Sequence, residues 1–305
     1  MTNIRTTICG LRLENPTVLP AGILGVTAAS LKRVAASGAG AVTTKSIGPL
    51  KREGHKNPVV VEVNGGLLNS VGLPCPSLEE SIEELTNAVK ESSVPVIASF
   101  YGRSIDEFGL VAERISKARP DLIEANISCP NIEDEFGKPF GTDHRFARAV
   151  TEKVKDSSKV PLIVKLSPNV PDIKVIAAAV EEGGADCISA INTLGPGMCI
   201  DIPTGRPVLS NKVGGMSGPA AFPVAVRCVY EIYDAVDIPV IGMGGIQSGL
   251  DAVQMLMAGA SAVGIGTAVW KTGPEVFGQV CDELARFMQV NGYRSLKELT
   301  GKAHQ

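Results

Sequence analysis

The chain is 305 residues long, 44% hydrophobic and 20% charged, with a formal net charge of -3. That balance fits a globular enzyme and excludes the basic field by which proteins bind nucleic acid or anionic membranes. No apolar run is long enough to span a bilayer, and Met1-Thr2-Asn3-Ile4-Arg5 lacks a signal-peptide core, so a cytoplasmic location is expected. Aromatic residues make up only 4% of the chain, so small and aliphatic side chains fill the core, as where helices pack on a parallel sheet. Seven cysteines without a Cys-x-x-Cys pair argue against a disulfide framework, a zinc ribbon or an iron–sulfur cluster on this chain. His55, His144 and His304 lack metal-ligand spacing and read as surface or capping residues; no metal site is expected.

In chain order, residues 4–13 alternate about Gly10 and predict a small hairpin. Residues 16–19 predict a first strand, followed by the loop Pro20-Ala21-Gly22-Ile23-Leu24-Gly25 and a helix over 28–37. A pattern then repeats. Gly38-Ala39-Gly40-Ala41-Val42, Gly184-Ala185-Asp186-Cys187-Ile188 and Gly259-Ala260-Ser261-Ala262-Val263 each place a helix-stopping glycine before a buried strand. Arg119-Pro120-Asp121, before the aliphatic run Leu122-Ile123-Glu124-Ala125, occupies the interval between the first two copies. Interleaved with these, Val94-Pro95-Val96-Ile97, Val160-Pro161-Leu162-Ile163 and Ile238-Pro239-Val240-Ile241 start strands with a proline, where no ladder hydrogen bond is lost. Amphipathic stretches at 78–91, 105–117, 145–157, 172–182, 219–236, 248–258 and 274–289 predict the helices between.

Eight strands alternating with eight helices make an α/β protein of the (β/α)8 TIM barrel class, one domain over residues 1–305 with a small N-terminal hairpin. An early Gly-x-Gly-x-x-Gly is absent, which disfavours an open doubly wound sheet. The segments 49–76 and 193–218 read as long loops inserted on the catalytic face. The active site of such a barrel lies at the C-terminal ends of its strands.

Those ends carry Lys45-Ser46, Ser99, Asn126, Lys165, Ile191-Asn192-Thr193, Gly244-Gly245 and Gly266-Thr267. Lys45 and Lys165 close aliphatic runs and therefore face the site rather than the sheet. The glycine pairs, with hydroxyls at Ser248 and Thr267 near helix starts, form a nest of backbone N–H groups suited to a phosphate. That phosphate belongs to flavin mononucleotide or to a sugar phosphate. After Asn126 the chain reads Asn126-Ile127-Ser128-Cys129-Pro130-Asn131 and opens into a polar loop over 132–144. A cysteine between two asparagines past a strand end offers a proton-accepting thiolate beside groups that grip amides. Asn69, Asn126, Asn131 and Asn192 together suit a flat ligand rich in carbonyl, N–H and carboxylate groups.

Lys45-Ser46, Asn69-Ser70-Val71-Gly72-Leu73-Pro74, the Asn-Ile-Ser-Cys-Pro-Asn loop, Ile191-Asn192-Thr193, Gly214-Gly215-Met216-Ser217-Gly218 and the Gly-Gly and Gly-Thr pairs resemble class 1 dihydroorotate dehydrogenase. The likeness runs through nearly the whole chain in order, and the short 193–218 segment is most like the NAD-linked type 1B catalytic subunit. The resemblance implies oxidation of (S)-dihydroorotate to orotate in de novo pyrimidine (UMP) biosynthesis. Cys129 would take the C5 proton while hydride passes from C6 to FMN, one per chain. It implies FMN contacts from Gly22, Lys45, Ser46, Ser99, Asn126, Lys165, Ile191, Gly218, Gly244, Gly245, Gly266 and Thr267. Substrate contacts would come from Lys45, Asn69, Ser70, Val71, Gly72, Leu73, Asn126, Asn131, Asn192 and Thr193. The loop 130–142 would act as a lid. With no cysteine cluster or dinucleotide fingerprint here, electrons would reach NAD through a partner subunit carrying FAD and an iron–sulfur cluster. The implied assembly is a heterotetramer on a homodimeric core.

Three positions depart from that pattern. Gly22 stands where a serine is common, Ser99 replaces a frequent asparagine, and Cys75 ends a turn that often closes with asparagine. The alternatives are a fumarate-linked type 1A enzyme, a flavoenzyme like dihydropyrimidine dehydrogenase, and, more distantly, a flavin-free sugar-phosphate lyase or isomerase barrel.

Overall fold

The computed structural model describes residues 3–128 and 140–305. Its barrel strands are β1 (Thr17–Leu19), β2 (Ala41–Thr43), β3 (Val96–Phe100), β4 (Leu122–Asn126), β5 (Leu162–Leu166), β6 (Cys187–Ala190), β7 (Val240–Met243) and β8 (Ala262–Gly264). Successive strands pair in parallel, and β8 returns to β1 through Val263 and Thr17, closing an eight-stranded barrel. Around it lie α1 (Ala28–Ala36), α2 (Leu78–Glu91), α3 (Ile105–Ser116), α4 (His144–Ser157), α5 (Ile173–Glu182), α6 (Phe222–Tyr233), α7 (Gly249–Met257), α8 (Ala268–Thr272) and α9 (Val276–Val290). The (β/α)8 expectation holds. α8 was not anticipated, because five residues are too few to show a helical period. The helix expected over 219–236 begins with a separate 310 turn, Pro219–Ala221, and stops at Tyr233.

The strands divide their side chains with period two. Ile123, Ala125, Leu162, Val164, Leu166, Ile188 and Ala190 pack with the helices in one large cluster. Val18, Ala41, Ile97, Leu122, Ile163, Cys187, Ile241 and Ala262 form a second cluster inside the barrel. The hairpin Thr6–Ile8 with Leu11–Leu13 joins this inner cluster through Ile8 and Leu13, both 1% exposed. It plugs the N-terminal end of the barrel, and each such aliphatic contributes about 1.5–3 kcal/mol by burial. One layer higher the interior turns polar, with Thr43, Ser99, Glu124 and Ser189, and at the strand ends stand Asn126 and Lys165. That gradient makes the lower barrel a packed floor and the upper barrel a site.

The segments expected to be long loops contain a second sheet. Leu194–Gly197, Gly214–Ser217, Gly66–Asn69 and Val60–Val63 pair in that order as a four-stranded antiparallel sheet. Its strands are short, three of the four contain glycine, and they come from distant parts of the chain, so no local alternation announces them. Of the histidines, only His144 is exposed, in the first turn of α4. His55 is half-buried with Nδ1 3.0 Å from Ser70 Oγ, and His304 stacks on Tyr230 at 3.8 Å between ring centroids. These two are packing residues. Cys9, Cys75, Cys187, Cys199, Cys228 and Cys281 are free thiols. Among the described residues no cluster of histidine, cysteine or acidic side chains could hold a metal. Nor is any helix among them long and apolar enough to cross a membrane.

Helix α4, which follows the loop after β4, starts on Asp143, whose carboxylate accepts from Arg145 N at 2.9 Å and pairs with the Arg145 guanidinium at 2.8 Å. Those bonds to Arg145 hold the Asp143 carboxyl well below the usual carboxylate range. Asp143→Ala is expected to lower stability by about 1 kcal/mol near neutral pH, as for other lost N-caps. A depressed carboxyl stabilises the fold above its unfolded pKa, about 3.9 for aspartate, and loses that contribution as pH falls through the folded value. Urea titrations should therefore show the gap between variant and parent persisting to pH 4 and closing only in stronger acid. A gap that already closes at pH 6 contradicts the ionised cap.

Candidate active site

At the C-terminal ends of β2, β3, β4 and β6 the polar side chains join into one hydrogen-bonded chain. Ser99 Oγ and Ser46 Oγ are 3.0 Å apart, and Asn126 Nδ2 donates to Ser46 Oγ at 3.3 Å. Ser128 Oγ donates to Asn126 Oδ1 at 2.7 Å, Asn192 Nδ2 to Ser128 Oγ at 2.6 Å, and Thr193 N to Asn192 Oδ1 at 2.8 Å. Ser46, Ser99, Asn126 and Ser128 are all buried. Each amide is thereby fixed in orientation, with its remaining donor or acceptor capacity available to a ligand. Ser99, standing in place of a frequent asparagine, is the first link of the chain.

Lys165 stands on β5 in register with Asn126 on one side and Ser189 on the other. It is 4% exposed, and no carboxylate or hydrogen-bond acceptor among the described residues meets its ammonium. A buried cation without a partner is costly unless an electron-rich or anionic ligand completes it. Lys45 follows β2, where its backbone N–H donates to Gly25 O at 2.7 Å and binds the strand end to the 20–25 loop. Gly22 in that loop has φ +114°, a conformation serine side chains rarely adopt. The departure from serine thus follows from the backbone, whose own groups remain to make the contact.

The turn after Gly66–Asn69 is held from below. Ser70 Oγ faces His55 Nδ1, Val71 O accepts from His55 N at 3.1 Å, and Gly72 O accepts from Arg52 Nε at 2.6 Å. Tyr101 Oη donates to Leu73 O at 3.4 Å. Asn69 Nδ2 donates to Gly215 O at 3.2 Å across the accessory sheet, which brings this turn over the Asn192-Thr193 strand end. Within the turn, then, Asn69 points toward the 214–217 strand, whereas the Ser70 hydroxyl is turned to His55. Cys75 is buried, its thiol 3.3 Å from Leu50 O and 3.4 Å from Tyr101 Oη, and works as a packing residue.

The glycine nest assembles around the N-terminus of α6. A Cβ on Gly245, where φ is +81°, would lie 2.6 Å from Gly218 O and 2.8 Å from Phe222 Cβ. Gly218, with φ +104°, sits directly before the Pro219–Ala221 turn, and a Cβ there would lie 2.8 Å from Gly66 Cα and 3.3 Å from Thr267 Cγ2. Gly244 backs onto Ile191, which is buried with its N–H donated to Met243 O at 2.8 Å. Bare backbone at a helix N-terminus is what a phosphate requires. Ser248 does not contribute. Its hydroxyl donates to Asp251 Oδ2 at 2.9 Å in the capping box of α7.

Cys129, Asn131 and most of the 130–142 loop lie outside the described residues. The flanks meet where Gly141 N donates to Ile127 O at 3.0 Å, beside Ser128 and Asn126. Five residues escaped the sequence reading. Ser128 is the middle of the amide chain, Asn169 bridges Thr193 O and Gly195 N at 3.1 and 3.0 Å, and His55 supports the turn. Glu124 and Ser189 lie inside the barrel below Lys165. A polar residue at an inward, period-two position of an aliphatic strand was the available signal for both.

The family described as dihydroorotate dehydrogenase matches residues 3–288. This chain belongs to that family. Among curated relatives it is 48% identical to the dihydroorotate dehydrogenase B (NAD(+)) catalytic subunit of Methanothermobacter thermautotrophicus, over 99% of this chain and 98% of the relative. It is 50% identical to the protein of the same name from Methanosarcina mazei, over 98% and 95% of the two chains. It is 42% identical to that from Pyrococcus abyssi, over 98% and 99%. A dihydroorotate dehydrogenase works with a flavin, and the described residues fit one. The glycine nest is of a kind that suits a phosphate, the buried Lys165 suits an electron-rich ring edge, and the hydrogen-bonded amides keep donor and acceptor capacity for a ligand.

Proposed function

We propose that residues 1–305 act as one FMN-binding barrel domain that oxidises (S)-dihydroorotate to orotate on the route to UMP. The observation that supports it most is the set of fixed amides, Asn126, Asn192 and Asn69, converging beside the buried Lys165 in a chain of this family. FMN, when bound, supplies the two-electron acceptor. Gly218, Gly244, Gly245, Gly266 and Thr267 hold its phosphate, and Gly22, Lys45, Ser46, Ser99, Asn126, Lys165 and Ile191 hold its ring system. Lys165, placed beside the ring, would stabilise negative charge there. Asn69, Ser70, Val71, Gly72, Leu73, Asn126, Asn131, Asn192 and Thr193 form the substrate pocket with Lys45, in which the amides read ring carbonyls and N–H groups and Lys45 meets the carboxylate. Cys129, as thiolate, takes the C5 proton of the substrate. The loop 130–142 covers the site and keeps water from it.

The relatives are named catalytic subunits of an NAD(+)-linked enzyme. On that basis the chain works with a partner subunit in the cytoplasm, passing electrons to NAD through FAD and an iron–sulfur cluster carried by that partner, as a heterotetramer on a homodimeric core. The fumarate-linked and dihydropyrimidine-type readings predict other acceptors or carboxylate-free substrates. An anaerobic absorbance spectrum before and after dihydroorotate tests the core reading. Bleaching of a flavin band near ~450 nm, a property of the cofactor's own chemistry, is expected. A flavin band untouched by dihydroorotate, or no flavin after reconstitution, sinks it. Fumarate reoxidising the reduced chain as fast as NAD reoxidises the chain with its partner subunit contradicts the NAD assignment.

Ser128 couples the substrate amide Asn192 to Asn126. Ser128→Ala is expected to raise KM for dihydroorotate about fivefold, the equivalent of one net hydrogen bond of about 1 kcal/mol, with a smaller change in kcat. Steady-state kinetics in which KM does not move contradict that coupling.

A further inference from the structure

Among the described residues only two charged side chains are buried inside the protein, Glu124 at 2% exposure and Lys165 at 4%. They are one strand and one layer apart. Glu124 is two residues before Asn126 on β4, Asn126 is the register partner of Lys165 on β5, and Lys165 is in turn the register partner of Ser189 on β6. Ser189 Oγ donates to Glu124 Oε2 at 2.8 Å, so the neighbour of Lys165 holds the carboxylate in place. The other oxygen, Oε1, is buried and has no hydrogen-bond partner. The remaining groups in this part of the interior do not balance it. Ile163 and Ile241 are apolar, and Cys187 is a neutral thiol, pushed well above its ordinary pKa chiefly by burial. A buried carboxylate with an orphaned oxygen and a buried ammonium without an acceptor among the described residues, set on adjacent strands, are each unfavourable alone, and without direct contact each offsets the other's charge through a low-dielectric interior.

We infer that Glu124 is the internal counter-charge of Lys165, a positioning residue that sets the electrostatic potential Lys165 presents to the ligand above it. As counter-charge, Glu124 partly offsets the positive potential at the Lys165 tip before ligand binds. The inference about the pair stands on the described side chains alone. Its consequence for the flavin rests on the reading of Lys165 as a flavin contact.

A thermodynamic cycle on the full chain tests it, using Glu124→Gln, Lys165→Met and the double variant. Glutamine keeps an acceptor for Ser189 Oγ while removing the charge. With the flavin stripped, Lys165→Met should lower the melting temperature because it leaves Glu124 uncompensated, and Glu124→Gln in that background should restore part of the loss. Additive shifts overturn the pairing, whether or not flavin binds. In the flavin-loaded chain, Glu124→Gln should raise the midpoint potential, increasing the reduced-to-oxidised ratio at fixed potential about tenfold. Coupled melting with an unmoved potential overturns the electrostatic role and leaves Glu124 structural. Coupled melting in a chain that binds no flavin supports the pair and removes the flavin reading instead. Should Glu124→Gln fail to accumulate, Glu124→Met combined with Lys165→Met removes both charges. Recovery of folded protein only in that double variant supports the pairing, and equal loss in all three overturns it.

Discussion

Cys129→Ser should bind flavin and orotate normally and reduce flavin with dihydroorotate about 10²–10⁴-fold more slowly, the range that a positioned general base contributes. A free thiol ionises at about 8.5, so an appreciable fraction is thiolate near neutrality, whereas a serine hydroxyl is a far weaker base unless specially activated. The deficit should therefore be largest near neutral pH. Anaerobic stopped-flow reduction from pH 6 to 10, with orotate affinity measured in parallel, separates loss of the base from loss of the site. Reduction rates equal to the parent at neutral pH would remove Cys129 from the mechanism. Retained rates with lost orotate affinity would make it a binding residue.

Gly245→Ala should weaken FMN binding about 100-fold while leaving the barrel folded. The new Cβ would stand 2.6 Å from Gly218 O and 2.8 Å from Phe222 Cβ, at a φ of +81°, so both sides of the nest must move. Holding alanine in such a conformation costs about 1–3 kcal/mol, and displaced N–H donors lose phosphate contacts as well. Gly205 supplies the control. It also has positive φ, at +67°, but nothing lies within 4 Å of its Cβ position, and it sits in the exposed Ile200–Asp201/Arg206–Pro207 hairpin. Gly205→Ala should carry the backbone strain without changing FMN affinity. Titration of flavin-free chains with FMN, followed by fluorescence quenching, decides between them. Equal affinities in the two variants would place the phosphate elsewhere.

The parts of the site that were legible in the sequence share one property: each is announced within a few residues. Lys45 and Lys165 close aliphatic runs, the Gly-Gly and Gly-Thr pairs follow β7 and β8, and Asn126 follows a strand. In a parallel barrel the C-terminal strand end is the site by topology, so local position was enough. What escaped depends on contacts between distant segments. Ser128 looked like a spacer between Asn126 and Cys129, and only the approach of β6 makes it the hinge between two amides. His55 looked like a surface residue, because Ser70 comes beneath it only through the accessory sheet. The hydroxyl of Ser248 appeared available at a helix start but is consumed by Asp251 three residues on. The sequence pattern Ser-x-x-Asp was itself the warning of a capping box.

By itself the sequence determined the alternation of strands and helices, the closure into a barrel and the face on which the polar strand-end side chains gather. Period-two and helical hydrophobic patterns are local, and the handedness of parallel crossovers leaves few ways to assemble them. Tertiary structure alone decided which polar groups meet. It built a four-stranded sheet from short segments distant in the chain, linked four strand ends through one hydrogen-bonded chain, and set Glu124 below Lys165 with Ser189 beside both. These are pairings between residues far apart in the chain, where each side chain has several possible partners and only packing selects one.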